Sequence, residues 1–276
     1  MDFKRIQLLL LVFFVIFDGY LIYILYNRVA GTEPEQNLVQ LSVEEELKNR
    51  GIVFDEISNQ NLELPIVKSQ HSDYLEDHLD QLEEQDASVD EVGRLISNFT
   101  TPLDLGIGLI NQTASLTEEQ IKDIEEKFIG DDRYFIAGDE YKFYRYSLLE
   151  RALYFRMNAY DNYKIVDGTA EIKLFLDENY QAVKYIQTYQ DAIKILDSKT
   201  KTISEKMAFQ VIDSRVETYI PDNSRIDLSS LSYYRIKNLE DFAVFSPVWE
   251  IVFTQPDGTV RSVYVEAKRG TILSPS

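Results

Sequence analysis

The chain has 276 residues, 45 % of them hydrophobic and 12 % aromatic, which is enough apolar material for a packed core of one or two domains. Its formal net charge of −19 argues against nucleic acid and anionic lipid surfaces, both of which select basic patches. Without a single cysteine it has no disulfide framework, no thiolate chemistry and no lipoprotein anchor.

The first element in chain order is Ile6 to Tyr26, a run of 21 residues that is apolar apart from Gln7, Asp18 and Gly19, with tyrosines toward its far end. A helix rising ~1.5 Å per residue needs about 20 such residues to cross a bilayer core. The run is therefore expected to span. Lys4 and Arg5 precede it, whereas Arg28 follows alone and gives way to Glu33, Glu35 and Glu44 to Glu46. Basic flanks stay on the cytoplasmic side, which predicts a cytoplasmic N-terminus and an extracellular remainder. A cleaved signal peptide would carry a shorter apolar region of about 7–15 residues and a small-x-small exit. Asn27-Arg28-Val29-Ala30-Gly31 puts a poor residue before Ala30, so an uncleaved signal anchor over 1–28 is the expectation.

Within that anchor Asp18 stands out. A carboxylate near the bilayer centre costs about 2.5–3.5 kcal/mol and usually faces a partner or a cavity. Gly19 beside it lets a second backbone approach closely, and Leu11, Phe14, Val15, Ile22 and Leu25 share its face at helical spacing. These seven positions form the candidate partner-contact surface. The alternative is a protonated carboxyl, or a position nearer the outer interface.

Residues 29–40 read as a linker. Ser42 and Glu45 have the spacing of a capping box, opening a helix that Gly51 closes. Strands are expected at Ile52 to Ile57 and at Leu62 to Val67, the second at an edge because Pro65 cannot donate to a ladder. From Asp73 to Glu91 come nine acidic residues and no Lys or Arg. Leu75, Leu79 and Leu82 suit an exposed amphipathic helix there. Asp86 to Glu91 faintly resembles a calcium loop but lacks the central glycine, so a solvated face is the expectation. His71 and His78, the two histidines, lie too far apart for one zinc.

Thr117 and Gln120 make a second capping box, followed by the stripe Ile121, Ile124 and Phe128 and by Gly130. Aromatic-rich strands are expected at Tyr134 to Ala137, Glu140 to Tyr146 and Arg151 to Met157. Thr169 to Leu176 and Tyr180 to Tyr189 flank Asp177-Glu178-Asn179, a hairpin in which Asn179 suits the left-handed position. A helix is expected over Ile203 to Ser214. Strands follow at Leu228 to Ile236, Val248 to Thr254 and Val260 to Glu266, the last two joined by the turn Gln255-Pro256-Asp257-Gly258.

The fold expected is α+β: an N-terminal transmembrane helix, then two extracytoplasmic antiparallel-sheet blocks with a few packed helices, over 41–160 and 161–276. No glycine-rich phosphate loop, G-x-S-x-G, H-E-x-x-H or cysteine nucleophile occurs. No catalytic, cofactor-binding or metal residue is assigned. A scaffold or regulator fits that thin inventory better than an enzyme does; a membrane-tethered glycan-binding module or hydrolase is the alternative.

The short basic start Met1-Asp2-Phe3-Lys4-Arg5-Ile6, the span containing Asp18-Gly19-Tyr20-Leu21 and the cysteine-free outer region together resemble the YycI family of low-GC Gram-positive bacteria. Val248-Trp249-Glu250-Ile251, Asp257-Gly258, Tyr264-Val265-Glu266-Ala267 and Gly270-Thr271-Ile272 also resemble the end of a PepSY-type domain, which adds a protease inhibitor to the alternatives. The YycI resemblance implies a non-enzymatic, single-pass membrane regulator of the essential WalK/WalR (YycG/YycF) two-component system. It would act with a YycH-like protein on the WalK (YycG) sensor kinase through transmembrane and outer-domain contacts, and it leaves an oligomer open. It carries no cofactor and no catalytic residue across.

Overall fold

In the computed structural model, residues 13–14, 17–21, 42–108, 116–215 and 218–273 are described. The chain divides into two units, Met1–Glu45 and Glu46–Ser276. In the first, Phe13, Phe14 and residues 17–21 are helical and exposed. No helix among the described residues is long and apolar enough to cross a membrane. The expected span extends over residues that lie outside the described ones.

Helix α1, Val43–Asn49, begins as its sequence dictates. The Glu45 backbone N–H donates to Ser42 Oγ (3.3 Å) and the Ser42 N–H donates to Glu45 Oε2 (2.9 Å), closing the capping box. Gly51, at φ +69°, ends it in the left-handed conformation that favours glycine.

Two antiparallel sheets make up the second unit. The seven-stranded sheet has the order β3-β4-β9-β8-β6-β5. Its strands are β3 (Gln85–Val89), β4 (Leu95–Leu103), β5 (Tyr141–Ser147), β6 (Ala152–Tyr160), β8 (Glu171–Leu176) and β9 (Ala182–Gln187), and β7 (Tyr163–Lys164) pairs with β6 off this path. Period-two alternation sends Leu153, Phe155 and Met157 of β6 and Ile172 and Leu174 of β8 to one face. There they meet Ile124 of α3 (Glu118–Ile124), Ile129 of the single π-turn that continues it, and Phe135. The π-turn is held close: a Cβ on Gly138 would lie 1.6 Å from the Ile129 carbonyl oxygen.

The six-stranded sheet is organised by β13 (Phe242–Thr254), a strand buried along nearly its whole length. On one side it pairs with β12 (Arg225–Asn238) from Ala243 to Thr254. On the other it pairs with β2 (Val67–Gln70) over Phe242 to Phe245, then with β14 (Val260–Glu266) over Val248 to Thr254. β10 (Asp191–Ile195) extends the sheet beyond β2, and β15 (Thr271–Leu273) extends it beyond β14. Helix α4 (Glu205–Asp213) buries Ala208, Phe209 and Ile212, and the Trp249 indole N–H donates to the Ile203 carbonyl beside its N-terminus (3.0 Å). A separate pair, β1 (Glu63–Leu64) with β11 (Thr200–Lys201), lies apart from both sheets.

The two sheets share apolar core, with Val67, Tyr233, Ala243 and Phe245 joining the cluster under the seven-stranded sheet, and they also meet through charge. Arg156 on β6 is 7 % exposed; it donates Nε to Glu171 Oε2 (2.8 Å) and Nη1 to Glu250 Oε1 on β13 (3.4 Å). Its guanidinium carbon lies 3.7 Å from the centre of the Tyr144 ring. Glu250 is 1 % exposed and is reached also by Ser232 Oγ at 3.5 Å. Burial pushes the Glu250 carboxyl above its ordinary value of 4.5, an effect that Arg156 and the Tyr144 hydroxyl oppose without cancelling.

Several expectations change. The acidic stretch from Asp73 is helical only at α2 (Tyr74–Asp77) and a 3-10 turn at Leu79–Gln81, after which β3 begins. Ile52 to Ile57 forms a single bridge at Val53, and Pro65 separates β1 from β2. Residues 134–137 are a turn, because Ala137 takes φ +48° where they approach the π-turn. In the 177–180 hairpin the left-handed residue is Tyr180 (φ +61°), not Asn179. Asp177 Oδ1 accepts from the N–H groups of both Asn179 and Gln181 and so fixes that geometry. The boundary expected at 160/161 falls within the seven-stranded sheet, where β8 and β9 pair with β6 and β4.

The charged contact gives two predictions. Arg156→Met leaves two buried carboxylates without their cation and should cost about 3–5 kcal/mol in urea unfolding, most of it recovered when Glu250→Leu is added. Glu250 carries a raised value in the folded state, so its proton-linked stabilisation is complete below the ordinary glutamate range and is lost as pH rises through the raised value. Unfolding midpoints of Glu250→Gln relative to the native chain should therefore shift in the variant's favour from about pH 4.5 toward neutrality; a constant difference would refute that assignment.

Candidate interaction site

The seven sequence-derived contact positions are described only in part. Phe14, Asp18 and Gly19 are helical and exposed. Leu11, Val15, Ile22 and Leu25 lie outside the described residues. Around them Phe13 is 61 %, Phe17 46 % and Tyr20 58 % exposed, with the Phe13 and Phe17 rings stacked at 6.3 Å. So many large apolar side chains facing outward on one short helical stretch need an apolar environment, from lipid or from another protein. A Cβ built on Gly19 would meet nothing within 4 Å, so the backbone there is open to close approach by another helix.

In the second unit the titratable groups serve the fold. His71 Nε2 lies 2.9 Å from the Leu239 carbonyl, and His78 Nδ1 lies 2.7 Å from that of Tyr74, on whose ring it stacks. No group of three His, Cys, Asp or Glu side chains placed to hold a metal occurs among the described residues. Glu150 shows how the outer polar groups are used. It accepts from Lys173 Nζ (2.6 Å) and from the Tyr154 hydroxyl; burial raises its carboxyl, but these donors outweigh that and hold it below its usual range. Arg50 joins the end of α1 to the segment after α4 through Asp213 (2.9 Å) and Asp222 (2.8 Å).

Sequence reasoning missed the Arg156–Glu250 contact, although a signal was present. Arg156 sits inside ALYFRMNAY and Glu250 inside VWEIV, each the one charge in an otherwise uncharged strand segment. A buried charge in such a place implies a partner on a facing element.

The residues that resemble the end of a PepSY-type domain are contiguous in space. Val248 to Ile251 lie on β13, Tyr264 to Glu266 on β14 and Thr271-Ile272 on β15, three neighbouring antiparallel strands.

Among solved structures, the chain is similar to an uncharacterized protein from Eubacterium rectale at 12 % identity and a TM-score of 0.40, covering 80 % of this chain and 89 % of that one. It is also similar to the C-terminal domain of YpeB from Bacillus megaterium at 10 % identity and a TM-score of 0.36, covering 86 % and 95 %. No curated protein matches the chain. The model of the family described as YycI protein matches residues 33–268, taking in nearly all of the second unit. The chain belongs to the YycI family.

Proposed function

We propose that the chain is a non-catalytic, membrane-anchored regulator of the YycGF (WalK/WalR) two-component system. Its N-terminal helix and its outer unit contact the WalK (YycG) sensor kinase together with a YycH-like protein. The observation that carries this reading is the family match over residues 33–268. The exposed phenylalanines of residues 13–17 support an anchor, since water alone would leave them unfavourably solvated. Lys4 and Arg5 before the apolar run favour a cytoplasmic N-terminus and an extracellular second unit. The contact surface in the membrane is the Asp18 face, with Gly19 as the point of close approach.

Protease added to intact protoplasts is expected to digest the second unit; survival of that unit until the membrane is lysed would reverse the topology.

Asp18 gives a graded test of the contact. Interhelical hydrogen bonds in membranes contribute about 0.6 kcal/mol on average and roughly 2 at most. Asp18→Leu should therefore weaken co-purification with the kinase about three- to thirty-fold rather than abolish it. Asp18→Asn, which keeps a polar group, should fall between Leu and the native chain. Equal recovery of all three at equal expression would remove Asp18 from the contact.

A further inference from the structure

A polar groove of about 680 Å³ opens where the two sheets meet. Arg94, just before β4, lines it from the seven-stranded side; Gln70, Arg235 and Asn238 line it from the six-stranded side, and Asp73 lines it too, its one acidic member. Thr188, in the connector from β9 to β10, passes between them. Arg94 is anchored from behind, and Arg235 stands beside a buried carboxylate. Arg94 bonds Asp90 through Nε (2.8 Å) and Nη2 (2.8 Å), within a turn whose Val92 and Arg94 N–H groups also donate to Asp90 Oδ1. Arg235 Nε lies 3.6 Å from Oδ2 of Asp167, a carboxylate only 4 % exposed. Its other oxygen is taken by the Thr169 N–H and hydroxyl.

These anchors leave donors over. Among the described residues, neither terminal nitrogen of Arg235 has an acceptor in hydrogen-bond reach, and neither do the side-chain amides of Gln70 and Asn238. Two arginines from opposite sheets thus line one cleft in a chain whose net charge is −19. Guanidinium forks match the paired oxygens of carboxylates and phosphates, and side-chain amides suit hydroxyls and carbonyls. We propose that this groove binds a small polar anion, a carboxylate or phosphate on a hydroxyl-rich frame, held between Arg94 and Arg235. The proposal stands apart from the regulatory reading, because it is tested by binding alone.

The test is isothermal titration of the full chain in detergent with glycerol 3-phosphate, glucuronate and, as a neutral control, glucose. Saturable binding of either anion without glucose binding is expected, and whichever anion binds identifies the acidic group recognised. Arg235→Gln should weaken that binding at least ten-fold. Asp167→Asn, which loosens Arg235 without removing it, should weaken it less. Arg261→Gln, on β14 and outside the groove, should leave it unchanged. Should Arg235→Gln lower the melting temperature, Arg94→Gln in the exposed turn serves as the second variant. No saturable binding of either anion, equal binding by the arginine variants, or equal binding of glucose would overturn the proposal.

Discussion

The second unit depends on one contact between unlike charges in a place that water does not reach. Val67, Tyr233, Ala243 and Phe245 of the six-stranded sheet join the apolar core of the seven-stranded one, and the polar link between the sheets is Arg156, between Glu171 on its own sheet and Glu250 on the facing one. The seven-stranded sheet also packs under α3 and its π-turn, and the six-stranded one beside α4. Taking charges such as those of Arg156 and Glu250 out of water costs several kcal/mol per ion, and a well-packed apolar set of the same volume is often as stable or more so. The physical advantage of the charged contact is directional. A guanidinium held by a cross-strand glutamate and covered by the Tyr144 ring satisfies Glu250 in only a narrow range of sheet positions, whereas apolar side chains tolerate sliding.

The same logic explains why β13 carries a proline. In a central strand proline removes a ladder bond, and the sequence reading placed this strand over Val248 to Thr254 only. Pro247 instead falls at the gap on one side of β13, after the last residue paired with β2 and before the first paired with β14. Its carbonyl still accepts from the Ala267 N–H (2.8 Å). Opposite it, Tyr233 turns its own carbonyl outward to the Val166 N–H (2.9 Å). No ladder bond is lost, so the strand runs on to Phe242.

Features carried by local chemistry were legible. Both capping boxes, at Ser42/Glu45 and Thr117/Gln120, form with reciprocal bonds, and the turn at residues 255–258 joins β13 to β14. Features decided by distant neighbours were not. Leu75, Leu79 and Leu82 have helical spacing, yet residues from Gln85 serve better as an edge strand beside β4 than as further helical turns. The aromatic content of residues 134–137 signals burial rather than strand, since Phe135 packs on Tyr185 with ring centres 4.6 Å apart. For the candidate sites the division is similar. A continuous apolar run is enough by itself to raise the expectation of an anchor, whereas Gln70, Arg94, Asp167 and Arg235 come from four separate segments and come together only when the sheets meet.

The groove and the buried contact are joined by a short chain of bonds. Thr188 Oγ1, at the groove, donates to the Gly168 carbonyl (2.9 Å) and accepts from the Glu171 N–H (3.0 Å). Glu171 in turn holds Arg156, and Arg156 reaches Glu250. A ligand placed between Arg94 and Arg235 touches both sheets, so it favours the sheet positions in which both arginines reach it. Such a ligand shifts a conformational equilibrium only by its difference in affinity for the alternatives. The Arg156–Glu250 contact at the far end of that chain of bonds is long, at 3.4 Å near the limit of a hydrogen bond, so a small change in where the two sheets sit is enough to break or tighten it.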